Sequence, residues 1–237
     1  MVNIVPKVFP DKPTSYIDIE CVTKSKTFVA PEDGWFRFIL CGAGGSGGGY
    51  PSSGATIYGG GGGGSGGIAV SVFSLNKGDS ILCDFGRVAY PEVSVTYGEK
   101  KAVAEPGQDG EEGKITAESF TANGGRGGSA RGGNLKNLNG KSGENGYRWT
   151  SNGGVLDTKG NGGSIFFDGK SSRGGNGHGS YGPQTIAKPA TLGTTAKIFI
   201  QRGSTNLTQA QRNALDTTST MLELNQLAQE QTGLLLQ

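Results

Sequence analysis

Gly42-Ala43-Gly44-Gly45-Ser46-Gly47 has the G-x-G-x-x-G spacing that lets a backbone approach a pyrophosphate, and it follows an apolar run. A dinucleotide site also needs a helix starting there and an acid about 20 positions on. The continuation GGYPSSGATIYGGGGGG cannot be helical, and no acid occurs between Cys41 and Asp79. Gly140-Lys141-Ser142 has the ending of a phosphate-binding loop, but the position requiring its first glycine is Leu135. Asp109-Gly110-Glu111-Glu112 offers hard oxygen ligands without the spacing of a calcium loop, and reads as a solvated turn. The single histidine, His178, has no acid beside it in GNGHGSYG, so the sequence assembles no hydrolytic centre and reads as non-enzymatic. No cofactor and no metal are expected. Cys21, Cys41 and Cys83 each sit in a strand-like apolar run and read as reduced core residues.

Three Arg-Gly-Gly units, at Arg126, Arg131 and Arg173, have the composition of RNA-binding tails. Here they are interleaved with acids; Lys and Arg total 22 against 20 Asp and Glu, and no long like-charge run occurs. No nucleic-acid partner is expected, and the arginines are expected to leave the glycine tracts and bond rim carbonyls. Tyr50, Tyr58, Tyr147, Trp149, His178 and Tyr181 lie in polar glycine-rich stretches without strand periodicity. They read either as caps on the ends of a glycine bundle or as exposed rings that contact sugars or protein loops.

The elements that must carry these residues divide into two kinds. SYIDIECV, KTFV, WFRFIL, residues 68–73, residues 80–85 and AKIFIQ read as strands. Pro31-Glu32-Asp33-Gly34 and Asn76-Lys77-Gly78-Asp79 are turns between them, with glycine available for positive φ. Glycine supplies 45 of 237 residues, against an ordinary share of about 7%. It clusters at 42–49, 59–67, 124–133, 160–163 and 174–179, and in the last three clusters glycines recur every third position. Three is the turn length of a polyproline-II-type conformation, whose N–H and C=O groups point sideways. Glycine alone allows such chains to lie backbone against backbone. The run Gly59–Gly64 would span about 19 Å. With hydrophobic residues at only 33%, backbone packing must replace part of a side-chain core.

Residues 1–15, with Pro6, Pro10 and Pro13, read as an extended arm, 16–204 as the glycine-rich β-domain and 205–237 as a helical tail. The tail carries capping boxes at Thr208–Gln211 and Thr220–Glu223, and an apolar stripe of Leu215, Leu222, Leu224, Leu227 and Ala228 that must dock on its own domain or on a partner. No run of about 18 apolar residues or signal-peptide pattern occurs, so membrane insertion is not expected.

KTFVAPEDGWFRFILCGAGGSGGG (26–49) resembles the opening of the glycine-rich domains of phage tail-fibre and receptor-binding proteins. GGGGSGGIAVSVFSLNKGDSILCDFG (61–86) is similar to their next piece, and AKIFI to their closing strand. The resemblance covers about residues 26–201. It implies an all-β, jelly-roll-like sandwich from which polyglycine-II-type segments project, and often a homotrimer. It also implies a virion protein, assembled in the host cytoplasm and bound to other virion proteins through the N-terminal arm or C-terminal helices. The expected function is recognition of a host surface glycan or outer-membrane protein; the alternative is a purely structural tail or capsid subunit.

Overall fold

Runs of aromatic and β-branched residues become strands wherever one face can be buried, and the short runs between glycines do so here. The computed structural model describes residues 12–49, 59–86, 92–113, 120–151, 154–177 and 190–204. It is all-β, with antiparallel sheets and no helix among the described residues. One five-stranded sheet has the order β1 (Tyr16–Val22), β15 (Lys197–Gly203), β3 (Gly34–Cys41), β4 (Ile68–Leu75) and β10 (Lys136–Leu138). A second has the order β2 (Lys26–Val29), β5 (Ser80–Phe85), β6 (Val93–Tyr97), β7 (Lys100–Ala104) and β9 (Ala130–Arg131). The two turns read from the sequence therefore join strands of different sheets: β2 pairs with β5 and β3 with β4. Gly78 takes a φ of +91°, whereas Gly34 opens β3 without a positive φ.

The two sheets enclose one core. Phe36, Phe38 and Leu40 of β3 meet Phe28, Ile81, Val93 and Val95 from the other sheet. Phe28, Phe38, Phe73 and Tyr97 form a chain of rings with centroids 5.4–5.9 Å apart, at tilted or edge angles that suit aromatic quadrupoles. The outer face of the first sheet is covered near its middle by the hairpin β13 (Ser164–Phe167) and β14 (Lys170–Arg173), with Ile165 and Phe167 packed on Ile39, Cys41, Ile68 and Val70. The hairpin turn is pinned by ion pairs from Asp168 to Arg37 and from Lys170 to Asp18. Cys41 and Cys83 are buried, as expected, and burial pushes their thiols up to about 12, leaving them inert at neutral pH. Cys21 is exposed: it lies on an edge strand, with its side chain on the sheet face away from the main core.

Candidate functional site: the free end of a glycine bundle

Among the described residues, eight extended rods leave the sheets. In chain order they are 42–49, 59–67, 105–113, 123–129, 139–145, 159–163, 174–177 and 190–195. None pairs as a β-ladder; each bonds its neighbours at every third residue. The second rod is the axis. Its amides at Gly61, Gly64 and Gly67 donate to Glu111, Gln108 and Glu105 of the third rod at 2.9–3.0 Å. Gly62 and Ser65 donate to Glu144 and Lys141 of the fifth, and Gly63 to Gly175 of the seventh. Its carbonyls accept from the other three: Gly67, Gly64 and Gly61 from Gly42, Gly45 and Gly48 of the first rod, Gly62 and Ser65 from Gly125 and Gly128 of the fourth, and Gly60 and Gly63 from Gly160 and Gly163 of the sixth. The six surrounding rods close a ring through Gly107–Ala43, Gln108–Arg126, Gly143–Gly125, Glu144–Asn161, Gly174–Gly163 and Gly175–Gly45 bonds. The eighth rod sits outside, in the groove between first and seventh, where Thr194 and Thr191 carbonyls accept from Gly44 and Gly47.

Six neighbours leave the axis no room for side chains, and residues 59–67 are all buried. A Cβ on Gly63 would stand 2.1 Å from the Gly45 carbonyl oxygen, and one on Gly64 2.1 Å from that of Arg126. Glycine frequency falls with position: every residue but Ser65 on the axis, two in three along the fourth rod, one in three along the third and fifth. One inner register position is filled by a side chain. Where the seventh rod has not yet begun, the Ser172 hydroxyl of β14 accepts from Gly66 N at 2.7 Å and donates to the Gly42 carbonyl at 2.8 Å, standing in for a peptide unit. Nothing in the sequence marked Ser172.

Rods consecutive in the chain run out and back alternately, so the chain leaves the bundle at Gly49, Gly113, Asn145 and Gly177 and re-enters at Gly59, Asn123, Lys159 and Ala190, all at the end away from the sandwich. At that end β8 (Phe120–Ala122), β11 (Gly146–Ser151) and β12 (Gly154–Thr158) form a small sheet, with Tyr147 opposite Thr121 and Thr158, and Trp149 opposite Leu156. Tyr147 is 46% exposed. Tyr50, Tyr58, His178 and Tyr181 lie outside the described residues, as do Leu215, Leu222, Leu224, Leu227 and Ala228. In sequence, however, Tyr50 follows Gly49, Tyr58 precedes Gly59 and His178 follows Gly177, so these candidates belong to connections that all start from one end of the bundle. Sequence reasoning missed β8, a three-residue strand whose only signal is Phe120 next to Thr121.

A family model for the glycine-rich domain matches residues 22–218. The chain belongs to this family. Among curated proteins no sequence matches it significantly. Within this glycine-rich domain the motifs that suggested chemistry are used as structure. The amides of Gly42, Gly44, Gly45 and Gly47 donate to neighbouring rods, so none can cradle a phosphate. Lys141 exchanges bonds with Ser65. Asp109–Glu112 is a stretch of rod and not a solvated turn: Asp109 Oδ1 accepts from Ser46 N at 2.6 Å and Glu111 Oε2 from Asn123 N at 3.0 Å. Among the described residues these arginines bond no rim carbonyl, contrary to expectation. Arg131 pairs with Glu105 and Glu92, and the Arg173 guanidinium lies 4.9 Å from the Phe166 ring centre. Arg126 is exposed. A hydrogen bond from Ser129, reinforced by Arg131, holds the Glu105 carboxyl below its usual range, which keeps it an ionised structural acceptor. Among the described residues no cluster of His, Cys, Asp or Glu is placed to hold a metal ion, and no helix is long and apolar enough to cross a membrane.

Proposed function

We propose that this protein is a non-enzymatic phage virion subunit, tail-associated, that recognises the host cell surface with the free end of its glycine bundle. The supporting observation is polarity. Ser15 and Ser204 are hydrogen-bonded to each other at the far end of β1 and β15, so both chain ends depart from the pole opposite the rod connections. Sandwich strands of up to eight residues and rods of similar length separate the two poles by about 50 Å. In this reading the N-terminal arm and the tail, as short helices bearing the Leu215–Ala228 stripe, attach a jelly-roll-type base to other virion proteins or to two further copies in a homotrimer. Tyr50, Tyr58, Tyr147, Trp149, His178 and Tyr181 meet a surface glycan or an outer-membrane protein.

The test is binding of labelled protein to cells of the host, with competition against infecting phage. Saturable binding that blocks adsorption, and that weakens on Tyr147→Ala or Trp149→Ala in a protein of unchanged melting temperature, is the expected result. Folded protein that binds no cells, yet assembles into particles, assigns it instead to a purely structural tail or capsid role.

A further inference from the structure

A lattice of glycine rods has no natural edge, because each perimeter rod still points amides outward between itself and its neighbour. One such groove, between the first and seventh rods, is filled by the backbone of the eighth, and this shows how an added chain binds: carbonyls three residues apart accept from Gly44 and Gly47. The other perimeter grooves are treated differently. In each, a side chain of one rod accepts from an amide of the next. Asp109 and Glu111 do so in the grooves on either side of the third rod. Glu144 Oε2 accepts from Asn161 N at 3.4 Å between fifth and sixth, and Asn176 Oδ1 from Gly162 N at 2.9 Å between sixth and seventh. Between fourth and fifth the acceptors are Asn145 for Gly124 N at 2.8 Å and Asn139 for Ala130 N at 3.0 Å.

Their register matters. Asn139, Ser142 and Asn145 recur at every third position, as do Ala130, Gly127 and Gly124 opposite them, which is the spacing at which an incoming glycine rod would present carbonyls. We propose that the perimeter grooves are addition sites for a perimeter rod of a second copy of this chain, and that these in-register acceptors hold them shut. The occupant follows from the eighth rod: residues 190–195 of this same chain, with Gly193 as their one glycine, seat in such a groove through their backbone. This stands apart from the receptor reading, since it concerns the flank of the bundle and not its end.

The experiment compares the full-length parent with N139G/N145G, which clears the fourth–fifth groove of both acceptors and their bulk, and with N139D/N145D, which keeps an acceptor at each position. By sedimentation equilibrium, N139G/N145G should rise with concentration to about twice the parent's mass or more, as for self-complementary pairing, while N139D/N145D keeps the parent's mass. Amide exchange at Gly124 and Ala130 should slow as the glycine variant associates. A folded N139G/N145G that keeps the parent's mass at all concentrations, with faster exchange at those two amides, overturns the proposal. Should the double variant lose its fold, N145G alone carries the same two outcomes.

Discussion

The sandwich and the bundle both exclude water, but they bury opposite things. The sandwich buries side chains such as Phe36, Phe38, Ile81 and Ile198, while its backbone bonds follow from strand pairing. The bundle buries backbone: Gly61 to Ser65 and Gly67 each donate to one neighbouring rod and accept from another, and the only side chain on the axis, that of Ser65, is itself hydrogen-bonded to Lys141. An aliphatic core relaxes around a lost methylene; a bundle whose contacts are main chain against main chain has no rotamer with which to yield. The comparison predicts opposite sensitivities, to enlargement in the bundle and to truncation in the sandwich.

The most severe break is Gly63→Ala. Its methyl would meet the Gly45 carbonyl oxygen at 2.1 Å and carbon at 2.5 Å, both backbone, so the cost should exceed the roughly 3 kcal/mol of ordinary overpacking. Loss of the cooperative melt and of soluble yield is expected. Phe38→Ala, at a fully buried ring packed edge-on or tilted against two others, should lower unfolding free energy by about 3–5 kcal/mol in denaturant titration while the bundle stays intact. Ser172→Ala, which strands the Gly66 amide and the Gly42 carbonyl, should cost about 2–4 kcal/mol, most of it recovered by Ser172→Thr if the hydroxyl is what matters.

Asp18→Asn sharpens the comparison at the hairpin that ties the sixth and seventh rods to the sandwich. The Asp18 carboxyl is held below its ordinary value, first by the hydrogen bond from Lys170 and then by that from Gln201. A depressed folded value means stabilisation that is present above the unfolded value near 3.8 and lost as pH falls through the folded one. Parent and variant melting curves should therefore differ at neutral pH and converge in acid. Asp18 is half-exposed, so the difference stays below about 1 kcal/mol. Smallest of all is Gly49→Ala, whose nearest neighbour would be Glu112 Oε1 at 3.9 Å; a change within about 0.5 kcal/mol would show that crowding, and not glycine content as such, sets the sensitivity.

Much of this was legible because it is periodic. The three-residue spacing of Gly125 and Gly128 announced rods, and the alternation in SYIDIECV and AKIFIQ announced strands that fall at β1 and β15. The pairing was not legible. Nothing in Lys26–Leu40 says that its turn crosses between sheets, because that choice depends on where residues 80–85 settle. Rod packing hid the role of Asp109–Glu112: acids spaced for a turn are equally spaced for a lattice edge. At the candidate site, Tyr147 and Trp149 were found from composition, but their shared strand was not: β11 pairs over five positions with β12, which directly follows it, and over three with β8, more than twenty residues earlier.

The rods also bear on how the protein ages. Asn123-Gly124, Asn139-Gly140, Asn161-Gly162 and Asn176-Gly177 are the dipeptides most given to spontaneous loss of ammonia, a reaction in which the glycine nitrogen turns back on the asparagine side chain to close a five-membered imide. In the bundle those nitrogens already donate, to Asn145, Gly128, Asn176 and Gly160. The attack needs a rotation that the lattice forbids, so the folded particle keeps these amides for as long as it stays folded, and a chain that opens begins to accumulate isoaspartate at the positions that defined its bundle.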